Sequence, residues 1–408
     1  MFFWFVVFSL IVECPSPSLL ETMKSAQSLV DSNGLSPDRP AILSGRCRHP
    51  DSSVPSIHPN PSIAHACSSV QLQRSNSCGR FMTASETIQP GQSVIVEDAY
   101  VAVMRNAFRP PVLDHHRHTL DQPPMIIDEK LRCEWCFVSL VTRGDALALP
   151  STTNRVLWFV NCPHCPTLYC SPKCRQFGSI EHQFECRLEQ FLHRLPEVTR
   201  LAIRMCVQAW RQGWNEKDQR HDKKSPSIDQ WTASAYDVYS LQTHLERLPP
   251  QVLVEYEFQS AICANIMSML HSNHVGCQSN SIGLCWHESI TYTSVLHHLA
   301  QTRTNIYAIT TLDHTPFSST SPLSTSAQIR LALSLMPTAS LMNHACQPNV
   351  SLQYEGRRLT VRAIETIQTG SEILNCYGPM QGHMIKDQRQ HVLKEEYFFT
   401  CKCQPCTR

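Results

Sequence analysis

Ser340 to Asn349 reads SLMNHACQPN, and Glu372 to Pro379 reads EILNCYGP. The first stretch sets an Asn, a His and a thiol ahead of a Pro-Asn turn. The second is a short apolar strand ending in a Tyr followed by Gly-Pro. A tyrosine at such a strand end either projects its hydroxyl into a pocket or packs as a half-buried ring. Between the two stretches, Ser351 to Tyr354 and Arg358 to Ala363 alternate about Glu355-Gly356, a hairpin pattern. Upstream, Ser93 to Met104 (SVIVEDAYVAVM) also alternates and predicts a half-buried strand, with Pro90-Gly91 as the turn before it. Val198, Leu201, Ala202, Met205 and Ala209 fall at helical spacing, and Gln251 to His271 predicts a second helix after Pro249-Pro250.

A second set of residues carries metal chemistry. Cys133-x2-Cys136, Cys162-x2-Cys165, Cys170-x3-Cys174 and His182-x3-Cys186 supply seven thiols and one imidazole. That is enough for two closed tetrahedral zinc sites. Two-residue spacing lets both sulfurs of a pair reach one ion across a tight turn, and the last pair suits one face of a short helix. Unliganded core cysteines would not fall into four ordered pairs. Closed coordination also argues for structural rather than catalytic zinc. Asp114-His115-His116-Arg117-His118 has no thiol or carboxylate partner at ligand spacing and reads as a solvated loop.

Composition narrows the class. The 408 residues hold 20 Cys and 20 His, with Lys+Arg 35 against Asp+Glu 34 and a net charge of +1. Near-neutrality removes the electrostatic case for dedicated nucleic-acid binding. Clustered CxxC pairs in a long chain point to thiolate-bound metal in a reducing compartment rather than to a secreted disulfide scaffold. No apolar run approaches the ~20 residues of a membrane span. Met1 to Val12 (MFFWFVVFSLIV) is long enough for a signal-peptide core but lacks a basic start and a cleavage site. It reads better as a short buried helix or an ill-defined first exon, leaving a minor chance of a signal or anchor. The expected location is nucleus, cytoplasm or both.

Together the two opening stretches resemble the SET methyltransferase domain, whose NHxCxPN and YGP elements cross in a knot-like arrangement. Gly79 to Gly91 (GRFMTASETIQPG) is similar to that domain's opening, and Asn305-Ile306-Tyr307-Ala308-Ile309 to its Asn-centred cofactor segment. Tyr397 to Cys406 (YFFTCKCQPC) resembles a post-SET motif, and the spacing from Cys133 to Cys186 resembles a MYND finger, though with 25 residues between Cys136 and Cys162. A SET domain split by a MYND finger is identified as a member of the SMYD family, most like its tetratricopeptide-repeat-containing member.

The resemblance implies an α+β fold. A β-rich SET domain with a knot-like C-terminal crossing would carry an inserted MYND finger, a helical insert and a Cys-rich post-SET tail. It implies transfer of a methyl group from S-adenosylmethionine to a lysine of a histone or non-histone protein. Tyr377 would be catalytic and also touch the cofactor. Gly79, Arg80, Asn305, Asn343, His344 and Phe399 would contact the cofactor, and Tyr397 would line the substrate channel. Three zinc ions are implied: one on Cys133, Cys136, Cys170 and Cys174, one on Cys162, Cys165, His182 and Cys186, and one on Cys346, Cys401, Cys403 and Cys406. The finger would bind proline-containing peptides.

The organisation expected is an unassigned, flexible Ser/Pro-rich segment at 1–75, the first SET part at 76–132, the finger at 133–186 and a helical insert at 187–300. The SET core follows at 301–380 and the zinc-binding tail at 381–408. Gly213 to Gln230 and Thr315 to Ser326 read as exposed loops. Two features depart from the family. Phe81 stands where the opening motif has a second Gly. The sequence also stops at Arg408, where SMYD proteins continue into a helical domain, which implies a more open cleft or an incomplete gene product. These departures favour the rival reading, a catalytically weak adaptor (a transcriptional co-regulator) that recruits partners through its finger.

Overall fold

The computed structural model describes residues 57–76, 79–106, 131–143, 155–157, 159–214, 230–273, 285–313 and 327–408. The apolar start, Asp114 to His118, and most of the two expected loops lie outside the described residues. The strands, in chain order, are β1 (Val70–Ser75), β2 (Gly79–Ala84), β3 (Ser93–Asp98), β4 (Val101–Met104), β5 (Val141–Arg143), β6 (Arg155–Leu157), β7 (Val160–Asn161), β8 (Leu168–Tyr169), β9 (Ile306–Asp313), β10 (Ala327–Leu335), β11 (Asn343–His344), β12 (Val350–Glu355), β13 (Arg358–Ala363) and β14 (Leu374–Asn375). The described residues divide into two compact units, one within 104–197 and the other within 57–103 and 198–408.

In the larger unit the sheets are small and mostly antiparallel: β1-β2, β4-β10-β9 and β12-β13-β3. The exception is β11-β14, a parallel pair with Asn343 opposite Leu374 and His344 opposite Asn375. The expected single strand from Ser93 to Met104 is two strands in two sheets. The reason lies in consecutive amides: Ala99 N–H donates to the Arg357 carbonyl at 2.9 Å, and Tyr100 N–H to the Leu335 carbonyl at 3.0 Å. The chain therefore changes partners at that step. The expected hairpin forms, with Glu355 opposite Arg358 and Gly356 at φ +59°, a left-handed turn position.

Order also begins earlier than the Ser/Pro-rich composition implies. The Asn60 side chain accepts from the Ser62 and Ile63 amides and donates to the Cys67 and Val70 carbonyls. That local loop buries Ile63, Ala66 and Val70, and β1 then pairs with the whole of β2. Helices Glu197–Arg211, Pro250–Asn273 and Tyr292–Asn305 lie between the strand segments, the second starting at Pro250, one residue before the expected Gln251. Among the described residues, no helix is long and apolar enough to cross a membrane.

The smaller unit carries the paired Cys and His residues between 133 and 186. Ser171 caps the helix Pro172–Glu185, accepting from the Cys174 amide at 3.1 Å, with Pro172 in the first turn. A Cβ at Gly178 would lie 2.5 Å from the Tyr169 ring. Only glycine lets the helix reach that ring, and the Cys133–Leu140–Tyr169–Cys174 core sits around it. The long spacer after Cys136 is partly a two-strand ladder, β5 with β6.

Candidate active site and metal centres

The two opening stretches meet. The Ala345 amide donates to the Asn375 carbonyl at 2.8 Å, and the Asn349 amide to the Leu374 carbonyl at 3.2 Å. The Asn349 side chain completes the junction. Its Nδ2 donates to the Glu372 carbonyl at 2.9 Å and its Oδ1 accepts from the Leu374 amide at 2.8 Å. The Asn343 Nδ2 donates to the Glu372 carboxylate at 2.8 Å. On the other side, the Ile373 amide reaches the Met82 carbonyl at 2.9 Å. The opening motif, Asn343-His344 and the segment leading to Tyr377 are thus adjacent rows of one assembly.

His344 joins three parts. Its Nδ1 accepts from the Tyr377 backbone N–H at 3.0 Å, so the proton sits on Nε2, which faces the Cys346 Sγ at 3.3 Å. Burial, then the charge of Arg389, lowers its pKa to about 4, which keeps the ring neutral at physiological pH. The Tyr377 hydroxyl donates to the Met342 carbonyl at 2.8 Å. Burial, and then neighbouring Tyr397 and Glu372, raise its pKa, so it remains a phenol.

The tail supplies the other walls. Helix Lys386–Tyr397 ends at Phe398 in the left-handed conformation, φ +60°, and this reversal turns Phe399 back. The Tyr397 ring lies 4.9 Å from that of Tyr377, and its hydroxyl donates to the Tyr377 carbonyl at 2.8 Å. Phe399 meets the Tyr377 and His344 rings edge-on at 6.4 and 6.0 Å. Burial pushes the Tyr397 phenol up to about 12. The result is an aromatic corner of Tyr377, Tyr397 and Phe399 with its hydroxyls tied to backbone.

Other residues expected at the cofactor have their side chains engaged in the scaffold. Arg80 donates to the Ser240 hydroxyl and carbonyl, both at 2.8 Å, and lies over the Trp231 ring. The Asn305 amide donates to the Gln242 and Gln301 carbonyls, both at 2.9 Å. Gly79 is different: at φ +69° it needs glycine's freedom, and a Cβ there would meet nothing within 4 Å. The aromatic corner is the feature that suits a bound cofactor.

Among the described residues, the three ligand sets implied by the resemblance are the three that converge. Within each, the donor atoms all lie within 4.8 Å of one another. Representative separations are 3.6 Å for Cys136–Cys170, 3.6 Å for Cys162–Cys186 and 3.5 Å for Cys346–Cys406. Tetrahedral zinc with Zn–S bonds of ~2.3 Å sets its sulfurs ~3.8 Å apart, so the sets fit that ion. The third set carries a counter-charge that sequence reasoning missed. Buried Arg389 donates to the Met384 and Pro405 carbonyls at 2.8 and 3.0 Å, and its guanidinium stands 3.6 Å from the Cys406 Sγ. A basic residue at helical distance before a Cys-rich tail is the signal that could have found it.

A family model described as the SET domain matches residues 79–378. The chain belongs to the SET-domain family. Within that family its sequence is similar to the SMYD proteins. It is 28% identical over 397 residues to the protein-lysine N-methyltransferase SMYD4 of Mus musculus, covering 85% of this chain and 47% of that one. It is 27% identical to SMYD4 of Homo sapiens, with the same coverage. The N-lysine methyltransferase SMYD2 of Homo sapiens is 26% identical over 283 residues, 67% of this chain and 50% of that protein. The chain thus spans about half the length of these curated relatives. A solved structure of the SET domain of LSMT bound to lysine and AdoHcy aligns with 82% of this chain and 53% of that one, at TM-score 0.29 and 10% identity. So weak a likeness assigns no residue.

Proposed function

We propose that this protein transfers a methyl group from S-adenosylmethionine to a lysine side chain of a protein substrate. One observation carries the reading: in a SET-domain chain, Tyr377, Tyr397 and Phe399 form an aromatic corner against His344. When bound, the cofactor would supply an electrophilic methyl on a sulfonium. The chain's own residues do the rest. A lysine attacks only as the neutral amine, and its ordinary pKa is near 10.4. Aromatic walls with their hydroxyls already bonded to carbonyls offer an ammonium little solvation, so desolvation favours the neutral form there. The Tyr377 ring is held at both ends, by its hydroxyl on Met342 and its amide on His344, which fixes orientation at the transfer point.

The same reading takes the β11–β14 pair as the knot-like crossing, residues 133–186 as a MYND finger for proline-containing peptides, and nucleus or cytoplasm as the place of action. Cofactor contact by Arg80, Asn305, Asn343 and His344 would run through their backbone, since their side chains hold the scaffold. The engaged Arg80 is also what favours the adaptor alternative. Calorimetry with S-adenosylmethionine separates the two, because an adaptor need not bind it. Methylation of a lysine-containing peptide library should then fall in Tyr377→Phe with cofactor affinity nearly unchanged. The absence of both binding heat and methyl transfer in the wild type would refute the enzyme.

A further inference from the structure

Glu97 is a carboxylate inside a core. It is 1% exposed, on β3, between residues whose neighbours are Val94, Ile95 and Val101 at 0%. Its Oε1 accepts from the Thr338 amide at 2.8 Å and its Oε2 from the Ala339 amide at 3.0 Å. Both oxygens therefore grip consecutive amides at the start of the short turn Ala339–Leu341. The far end of that turn is Met342, whose carbonyl receives the Tyr377 hydroxyl, and the next residues are Asn343 and His344. The Tyr307 hydroxyl adds a third hold, donating to the Ala339 carbonyl at 2.8 Å. A buried charge is costly unless it is well bonded, and hydrophobic packing alone would hold a turn here more cheaply.

We propose that Glu97 is a positioning residue for methyl transfer, clamping the turn that anchors Tyr377 and leads into Asn343-His344. The proposal rests on the methyltransferase reading above. An ionised carboxylate accepts two N–H bonds at full strength, whereas a protonated one turns one oxygen into a donor and loosens one of the two. Burial raises the Glu97 pKa to about 7, against the opposing effect of the two amides. The titratable groups facing it are Asp98 on its own strand, Tyr307 on β9 and Tyr354 on β12. Burial holds both phenols protonated at neutral pH, so Glu97 is the group that changes charge there. The clamp should slacken as pH falls below about 7.

The test uses Glu97→Gln in the full chain, which keeps size and one acceptor; Glu97→Ala serves only if it folds. Amide hydrogen exchange at Thr338 and Ala339 should quicken roughly ten-fold, and kcat for the peptide library should fall roughly ten-fold with KM for S-adenosylmethionine little changed. The acid limb of the wild-type kcat profile near pH 7 should be lost in the variant. Unchanged exchange at these two amides overturns the clamp whatever the activity. Faster exchange with unchanged kcat and an unchanged acid limb overturns the positioning role. If the wild type transfers no methyl, the functional reading is what has failed, and exchange still decides whether Glu97 holds the turn.

Discussion

Replacing Cys403 by Ser tests the tail as part of the active site. Cys346 and Cys401 are 55 residues apart along the chain, yet their donor atoms share one cluster with Cys403 and Cys406. One ion holding all four closes a loop of that length, a constraint worth about 4 kcal/mol on the chain-entropy account. Losing it shifts the balance between docked and released tail by roughly a thousand-fold. The released residues include Tyr397, which now lies 4.9 Å from Tyr377 and bonds its carbonyl, and Phe399. A displacement of ~1 Å at a reacting centre can cost ~100-fold in rate. Elemental analysis should therefore fall from three zinc ions to two per chain, with methyl transfer down by about that factor. Hydrogen exchange should rise over 386–408 and stay unchanged over 133–186. Three ions retained in the variant, or full activity in a chain cut before Tyr397, would refute the reasoning.

Asn349→Ala should destabilise the larger unit by about 1–3 kcal/mol in urea denaturation, because the Leu374 amide loses its acceptor at 2.8 Å; a change under half that size would show the junction is not held there. Two buried groups give opposite pH slopes. Glu97 ionises near 7 in the fold against 4.5 ordinarily. The ionised form grips its two amides more firmly, but burying the charge costs the fold more than that grip returns. Its contribution to global stability is therefore full below 4.5 and is lost as pH rises through about 7. His298, bonded to Gln301 at 2.8 Å, is lowered by burial to about 3 from 6.5, so its contribution is present above 6.5 and is lost as pH falls below that. Urea titrations at pH 5 and 7 should then find Glu97→Gln more acid-labile than the wild type and His298→Gln less so. The same change in both variants would contradict the assignment.

The metal sets were legible because ligand chemistry demands particular residue types at short spacing. Likewise the hairpin about Gly356 and the helix from Pro250 follow from local backbone rules. What stayed hidden depends on partners far along the chain. The break at Ala99-Tyr100 is invisible in an alternating pattern, since it is made by Arg357 and Leu335. Ser/Pro-rich composition masked the Asn60 loop, where one side chain organises four backbone groups. Glu97 left a weak trace: with Ile95 it occupies the inward phase of an apolar strand, where an acid needs a reason. Spacing also says nothing about which atoms of Arg80 and Asn305 are already spent on the scaffold.

The SET-domain match stops at 378, and the three thiols that meet Cys346 all come after it. During synthesis, β14 follows Cys346 and pairs with β11 to fix its place in the fold, after which the thiol waits for residues 401 to 406. Until they arrive it is a single thiol beside His344 without the tail residues that cover it, able to trap a wrong metal or a wrong disulfide partner. An expression fragment trimmed to the matched boundary would keep every sequence hallmark of the domain in that waiting state permanently. Its inactivity would report on where the cut was made, not on the chemistry of the protein.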